Sequence, residues 1–514
     1  MSGRSESRGA ESEMNLLKQL ARRVGLGTEL RAAEDFVSRR ALLFGGLSSL
    51  AALRPSRTQA APRPDATRFL VDRLTFGWTE QEQLLADTLG YHGYLEYHLN
   101  SSAIDDSATD ARIAPYFFLN YSAATLKGFQ TPSYIVHQCL ESTTVRSVFS
   151  KRQLFEKMVE FWTDHFSVDI NKSHIPWLFP VWLRQSIRPH AMGSFPQLLA
   201  ATAQSAVMMF YLDNETSIGG NPNENYAREL MELHSLGVDA GYTQQDVEEL
   251  ARILTGWGVN WGAGSGQNTW EFQYFPTRHD NGPKPLLGVN FPAGPGFNDG
   301  LNALTLLANH PATAQFISTK LCQRFWSYDP PQALIDAVAA TYMSTSGDIK
   351  SMLRTLFTTL DPSTATQKHK RPYHLYVSAM RATGTEITPV QVTTGTELQN
   401  RLLNAGHLPF HHGPPDGYPD RLEAWVGHML PRWNFAALMT TGGITNVNFD
   451  INAFLQGAVG GDAVADRIDM ALFGGLMPAA EKNVIRNYLG ANPTPTVSAE
   501  AVALAISAPS YQWY

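Results

Sequence analysis

Two glutamates and a histidine stand close together in the segment Asn223–Gly237, and their side chains can bind cations or move protons. At 3.6 residues per turn, Glu229 and Glu232 lie one turn apart on the polar face of the helix that this segment predicts. There they can share a proton or a divalent cation. His234 falls on the apolar face of the same helix. The alternative is a solvated polar face in which Arg228 pairs with glutamates at i,i+4 spacing.

A second histidine, His165, lies in the predicted helix Lys151–Phe166, in the middle of a face of aromatic and aliphatic side chains. A histidine buried there needs hydrogen-bond partners for both ring nitrogens, or it leaves one nitrogen for a metal. The same requirement holds for His234. The two histidines are therefore either satisfied core residues or ligands next to the carboxylates of Glu229 and Glu232.

A third candidate is the neighbouring pair His279 and Asp280 in the polar loop Arg278–Lys284. Such a pair can supply ligands or an acid/base couple, and an Asx-type turn explains Asp280 equally well. Imidazole and carboxylate together suit divalent metals such as Zn, Mn or Fe. The candidate catalytic residues are His165, Glu229, Glu232, His279 and Asp280. The candidate metal ligands are His165, Glu229, Glu232 and His234.

The elements that must position these side chains are mainly helices, because apolar residues recur at helical spacing from Ala66 onward. We predict a mainly α fold with one large multi-helix domain over residues 66–514. The segment Gly256–Gly296 is rich in Gly, Pro, Trp and Asn, and predicts an irregular or small β insertion. A second irregular stretch runs from Gly406 to Asp420. The predicted helices are Ala66–Leu74, Gln81–Leu99, Lys151–Phe166, Pro196–Tyr211, Asn223–Leu236, Thr243–Leu254, Pro311–Phe325, Pro331–Met343 and Asp348–Leu360.

Charge and cysteine content exclude some classes of protein. The 514 residues carry a net charge of -7, and residues 61–514 carry 30 Lys and Arg against 41 Asp and Glu. A chain so acidic is poorly suited to neutralise phosphates, so we expect no nucleic-acid partner. The two cysteines, Cys139 and Cys322, form no CxxC motif, which argues against thiolate metal sites. They form one disulfide or remain as two buried thiols.

The N-terminus has the features of an export signal. Ser38-Arg39-Arg40-Ala41-Leu42-Leu43 resembles a twin-arginine motif, and the weakly apolar run Ala41–Leu53 follows it. That run is shorter than the roughly 20 residues that cross a bilayer, and small residues suited to cleavage stand near Ala60 and Ala61. We therefore predict a twin-arginine signal peptide with a long n-region over residues 1–60. We expect a periplasmic or secreted mature protein with no membrane span.

Several blocks of the chain resemble the bacterial family catalogued as domain of unknown function 1800. The longest is NENYARELMELHSLGVDAGYTQQDVEELARILTGW, which begins at Asn223. The resemblance covers roughly residues 66–514, and the family usually has Trp near Tyr418 and an acidic residue near Ser510. The other matching blocks are Arg73–Gly77, Lys157–Phe166, His279-Asp280 with Gly288, His310–Ala314, Pro409–Pro419 and Ser507–Gln512.

The resemblance implies export and a mostly α fold. It also implies genomic company with a second exported, sulfatase-like family, domain of unknown function 1501, but it supplies no reaction. The first functional hypothesis is an exported metal-assisted enzyme, hydrolytic or oxidative, that acts on an extracytoplasmic polymer or its fragments. The second is a non-enzymatic partner or scaffold for the co-exported sulfatase-like protein.

Overall fold

The computed structural model describes residues 66–262, 268–390 and 395–514. It is 61% helical, and the described residues form 22 α-helices and three small two-stranded sheets, which confirms the prediction of a mainly α fold. The predicted signal peptide, residues 1–60, lies outside the described residues. Among the helices that the structure describes, none has the length and apolarity needed to cross a bilayer.

The first half of the described chain is a run of helices that precedes the predicted β insertion. These helices are α1 (Ala66–Leu74), α2 (Glu80–Leu99), α3 (Ser107–Ile113), α4 (Ala123–Lys127), α5 (Pro132–Phe149), α6 (Gln153–His165), α7 (Ile175–Trp182), α8 (Phe195–Ala203), α9 (Ala206–Tyr211), α10 (Glu224–Glu232) and α11 (Gln244–Ile253).

The predicted β insertion consists of two antiparallel strand pairs. Strand β1 (Trp257–Val259) pairs with β2 (Phe272–Tyr274), and β3 (Lys284–Leu286) pairs with β4 (Val289–Phe291). In the first pair Gly258 stands opposite Gln273. The prediction of a small β insertion in Gly256–Gly296 is therefore confirmed.

The second half of the chain returns to helices. They are α12 (Phe297–Ala308), α13 (Pro311–Phe325), α14 (Gln332–Thr345), α15 (Ile349–Thr358), α16 (Pro372–Thr383), α17 (Glu397–Asn404), α18 (Met429–Thr440), α19 (Ile451–Leu455), α20 (Gly461–Phe473), α21 (Ala479–Leu489) and α22 (Pro495–Ser507). The third sheet joins β5 (Glu386–Ile387) to β6 (Val447–Asn448).

One continuous cluster of buried apolar side chains runs from Phe69 in α1 to Tyr511 beyond α22. Helices that follow each other along the chain pack together, as in α1 with α2, α10 with α11, and α13 with α14. The pairing of α18 with α22 joins more distant segments. Both cysteines, Cys139 and Cys322, are buried free thiols, so the disulfide alternative is wrong.

Three helix boundaries differ from the prediction for local reasons. Helix α2 is interrupted at Gly90, whose φ of 68° departs from the helical conformation. The predicted helix Pro196–Tyr211 is two helices, because Ser205 adopts an extended conformation and its hydroxyl accepts the Met208 N–H at 3.2 Å. Helix α10 ends at Glu232, so His234 lies just beyond the helix and not within it.

The polar face of α6 is buried against arginines from distant segments. Arg371, which precedes α16, donates to Glu160 at 2.6 Å and to Asp164 at 2.8 Å. Arg324 of α13 also pairs with Glu160. The Arg324 and Arg371 side chains are each 4% exposed. These interactions fix α6 against α13 and against the chain that enters α16.

We expect Arg371→Met to lower the free energy of unfolding by about 3–5 kcal/mol, because it leaves Asp164 without its cation and Glu160 with Arg324 alone. The measurement is urea unfolding followed by circular dichroism. Arg354 is the matched control, since its ion pair with Glu96 is largely exposed. Arg354→Met is expected to cost no more than about 1 kcal/mol. Equal effects of the two substitutions would contradict the importance of the buried ion pairs.

Candidate active site

The two predicted histidines meet beneath the end of α10. Their ring centroids are 6.3 Å apart, and each residue is 1% exposed. Nε2 of His165 lies 3.1 Å from the backbone oxygen of His234, so that nitrogen carries the proton and donates it. Nδ1 of His165 and Nε2 of His234 have no hydrogen-bond partner among the described residues. Each histidine therefore has one buried ring nitrogen without a hydrogen-bond partner among the described residues.

Burial makes both histidines neutral at ordinary pH. Desolvation, with the charge of Lys320 added, holds the pKa of His165 well below its usual range and lowers the pKa of His234 to about 3. Neutral imidazoles can accept or relay a proton, whereas protonated ones in this position would lack solvation.

The turn after α10 places His234 over His165. The Gly237 N–H donates to the Met231 oxygen at 3.1 Å, and Gly237 has a φ of 85°, as in a glycine-terminated helix. A Cβ at Gly237 would lie 2.9 Å from Cδ2 of Phe316. Glycine is therefore required here by both the backbone conformation and the packing.

The carboxylates on α10 have two different surroundings. Arg228 forms ion pairs with Glu224 at 3.0 Å and with Glu232 at 3.7 Å. Both i,i+4 pairs expected of a solvated polar face are therefore present. Glu229 is half-buried. Burial and the nearby charges of Glu232 and Asp416 raise the pKa of Glu229, although Arg228 opposes them. Glu229 is thus the carboxyl on this helix that is best placed to hold a proton.

Two residues that the sequence did not single out complete the arrangement. Half-buried Lys320 of α13 interacts electrostatically with Asp416 and with both histidines, and burial lowers the pKa of Lys320 to about 8. Asp416 interacts with Glu229 as well. We call the group of Glu229, Glu232, Lys320 and Asp416 the carboxylate site.

The irregular loop Gly406–Asp420 carries Asp416 to this place, and hydrogen bonds anchor the loop. The Tyr211 hydroxyl donates to the Gly413 oxygen at 2.7 Å, and the Ile170 N–H donates to the Phe410 oxygen at 2.9 Å. Gly417 lies so close to the end of α6 that a Cβ there would be 2.0 Å from the Asp164 oxygen. The loop is therefore held against the end of the helix that carries His165.

The other predicted pair, His279 and Asp280, has structural partners. His279 Nδ1 lies 2.8 Å from the Thr255 oxygen, and its Nε2 lies 3.3 Å from an oxygen of buried Asp299. Asp280 accepts the Gly282 N–H at 2.8 Å, as in an Asx turn, and it also pairs with Arg252. None of these hydrogen bonds and ion pairs reaches a residue of the carboxylate site.

The metal ion predicted to be shared by His165, Glu229, Glu232 and His234 stays a prediction. In residues 66–262, 268–390 and 395–514, no group of three or more His, Cys, Asp or Glu side chains could hold a metal ion. One nitrogen of His165 is occupied by a carbonyl oxygen, and Arg228 partly neutralises Glu232.

The chemistry that the carboxylate site can perform is proton transfer. A carboxyl group with a raised pKa interacts with two other carboxylates, and one of these, Asp416, also interacts with an amine whose pKa is lowered. Such shifted groups are common at acid–base sites. The sequence did not indicate Lys320 and Asp416 as site residues, because both are distant from α10 along the chain. The one available signal was the position of Asp416 in a loop rich in Gly and Pro, since such loops often carry function.

The fold and this site define a mainly α protein in which a carboxylate-bearing helix and a loop meet over two buried histidines. The chain belongs to the family described as protein of unknown function (DUF1800), whose model matches residues 69–513. This confirms the resemblance seen in the sequence. Comparisons with curated proteins and with solved structures gave no match.

We expect Gly237→Ala to destabilise the protein by about 2–4 kcal/mol, because it combines backbone strain with a clash against Phe316. Gly241→Ala is the matched control. Gly241 has a φ of 82°, but nothing lies within 4 Å of the position of its Cβ. The control should therefore show the strain alone. Thermal and urea unfolding of both variants measure the difference, and equal losses would show that the contact with Phe316 does not matter.

The buried histidines predict a loss of stability in mild acid. Their folded pKa values lie below the ordinary value of about 6.5, so below that pH the unfolded chain binds protons that the folded protein does not. The free energy of unfolding should therefore fall by about 1–2 kcal/mol per histidine between pH 6.5 and 5. Urea unfolding at several pH values measures this slope.

His234→Gln should make the fall in stability with pH less steep, because one such histidine is removed. His92→Gln, which changes an exposed histidine of α2, should leave the slope as it is. A His234→Gln slope equal to that of the parent protein would mean that the ring is not buried in neutral form.

Proposed function

We propose that this protein is an exported enzyme that hydrolyses an extracytoplasmic polymer or its fragments by general acid–base catalysis at the carboxylate site. One observation carries the proposal. Asp416 of the loop Gly406–Asp420 interacts electrostatically both with Glu229 of α10 and with Lys320 of α13, and Lys320 interacts with two buried and partly unpartnered histidines. Bringing ionisable groups together and partly burying them costs stability. Such an arrangement is therefore a candidate for a functional site.

The proposed step uses two carboxyl groups with different environments. Glu229, whose pKa is raised, donates a proton to the oxygen of the leaving group. Asp416, whose side chain is largely exposed and lies 2.9 Å from Nε2 of His412, accepts a proton from the attacking water. Glycosidic bonds are hydrolysed by such pairs, and we therefore propose polysaccharides or oligosaccharides as the substrate class. The charge of Asp416 in turn favours the protonated amine of Lys320.

Export supports the choice of an extracytoplasmic substrate. The residues that support export are the twin-arginine motif at Arg39 and Arg40, the short apolar run after it and the small residues near Ala60. We propose a periplasmic or secreted location reached by the twin-arginine route.

We expect the purified exported protein to release reducing ends from at least one member of a panel of bacterial and plant polysaccharides. Glu229→Gln should lower the rate on that polymer by about 100-fold or more, because it removes the proton donor. Glu224→Gln is the matched control on the same helix, since Glu224 pairs with Arg228 on the exposed side. The control should keep at least half of the activity.

Two outcomes would count against this mechanism. A Glu229→Gln protein as active as the Glu224→Gln protein would exclude Glu229 as the acid. Elemental analysis of the exported protein provides the second check, because a full equivalent of a divalent metal that is lost in Glu229→Gln would replace our mechanism with metal-assisted hydrolysis.

A second candidate function is that of a non-enzymatic partner for a co-exported sulfatase-like protein of the domain of unknown function 1501 family. Three large apolar side chains favour it: Leu403 at the end of α17, Val426, and Leu430 in α18 are 53%, 46% and 55% exposed. Helices α17 and α18 pack together, and exposed apolar groups of this kind occur at protein interfaces. Stable co-purification with such a protein, together with no hydrolysis of any polymer, would favour this alternative.

A further inference from the structure

A cavity of about 230 Å³ lies between α1, the end of α20 and the C-terminal segment 510–514. None of its lining residues belongs to the carboxylate site. Aromatic rings form much of its wall, and they are Phe69, Trp78, Phe473, Tyr511, Trp513 and Tyr514. Flat apolar groups pack well against such rings.

One amine in this cavity has no anionic partner. Lys370 is 6% exposed, and its Nζ lies 3.7 Å from the centre of the Tyr511 ring. Its Nζ forms no hydrogen bond or ion pair with the residues that the structure describes. A buried ammonium group that meets only an aromatic face has lost most of its solvation, and an anion would restore it.

The other charged groups of the cavity are already engaged. Arg68 donates to the Asp72 carboxylate at 3.2 Å, so the two neutralise each other. Arg73 donates to the Tyr514 oxygen at 2.8 Å and to the Thr366 oxygen at 2.6 Å. Lys370 is therefore the cation of this cavity whose terminal nitrogen has no hydrogen-bond acceptor in the described part of the chain.

We propose that this cavity binds a small carboxylate with a flat apolar body, whose carboxylate pairs with Nζ of Lys370 and whose body packs against Trp78, Tyr511 and Trp513. A monoanion fits better than a doubly charged phosphate, because much of the wall is apolar and Lys370 is the cation with which the anion would pair. The volume lies below the usual range of ligand pockets, about 300–1,000 Å³, which indicates a ligand about the size of one or two rings.

The surroundings of Lys370 add a pH dependence. Burial, together with the charges of Arg68 and Arg432 and opposed by that of Asp72, lowers the pKa of Lys370 to about 7. Tyr511 faces the amine through its ring. A carboxylate that pairs with the ammonium form must raise this pKa, so binding at pH 8 takes up a proton and the affinity falls as the pH rises above 7.

Isothermal titration calorimetry of the exported protein tests the proposal with benzoate, indole-3-carboxylate and the neutral benzamide as probes. We expect a carboxylate to bind at least tenfold more tightly than benzamide at pH 6.5. Lys370→Met, which keeps an apolar side chain, should lose this preference. Lys151→Met, on the exposed surface, should retain it.

A measurement on the parent protein keeps the test independent of whether Lys370→Met folds. At pH 8 the binding enthalpy should change with the ionisation enthalpy of the buffer, which reports proton uptake. The proposal is overturned if benzoate and benzamide bind equally, if Lys370→Met binds benzoate as the parent does, or if no carboxylate binds with a dissociation constant below about 1 mM. None of these outcomes affects the carboxylate site, so the two proposals stand or fall separately.

Discussion

The interaction on which the rest of the structure depends is the pairing of Arg371 with Glu160 and Asp164 inside the protein. It joins helix α6 to the chain entering α16, and Arg324 adds α13 to the same group. Nearby, Lys368 pairs with Asp420 at the end of the loop Gly406–Asp420. Charges taken out of water must find partners of opposite sign in good geometry, so these segments have few alternative arrangements.

The candidate active site inherits its geometry from this buried network. Asp164 and His165 are neighbours at the end of α6, so the ion pair that holds Asp164 also positions the imidazole. The loop that carries Asp416 is held at its end by Lys368 and against α6 by the tight contact at Gly417. Stability and site geometry therefore rest on the same residues. The cavity at Lys370 adjoins this network, since residues 368–370 pair with the C-terminal segment by backbone hydrogen bonds.

The local predictions that were correct depend on near neighbours in sequence. The polar and apolar faces of α10 and the ends of α13 at Pro311 and Phe325 agree with the structure. Helix α5 was missed because buried residues surround it on all sides, which removes the alternation of polar and apolar faces. The histidine pair was recognised because an imidazole among aromatic side chains is unusual in any conformation. The partnership of His279 with Asp299 was not recognisable, because 20 residues separate the two.

By itself the sequence determined the helical class, the family, the small β insertion and the identity of the unusual histidines and glutamates, because hydrophobic period and residue type are local properties. Only the tertiary structure decided which of these side chains meet. It brought Asp416 near both Glu229 and Lys320, gave His279 the partners Thr255 and Asp299, and placed the amine of Lys370 over the ring of Tyr511. The physical reason is that burial and electrostatic interaction depend on distance in space, and long-range packing sets that distance.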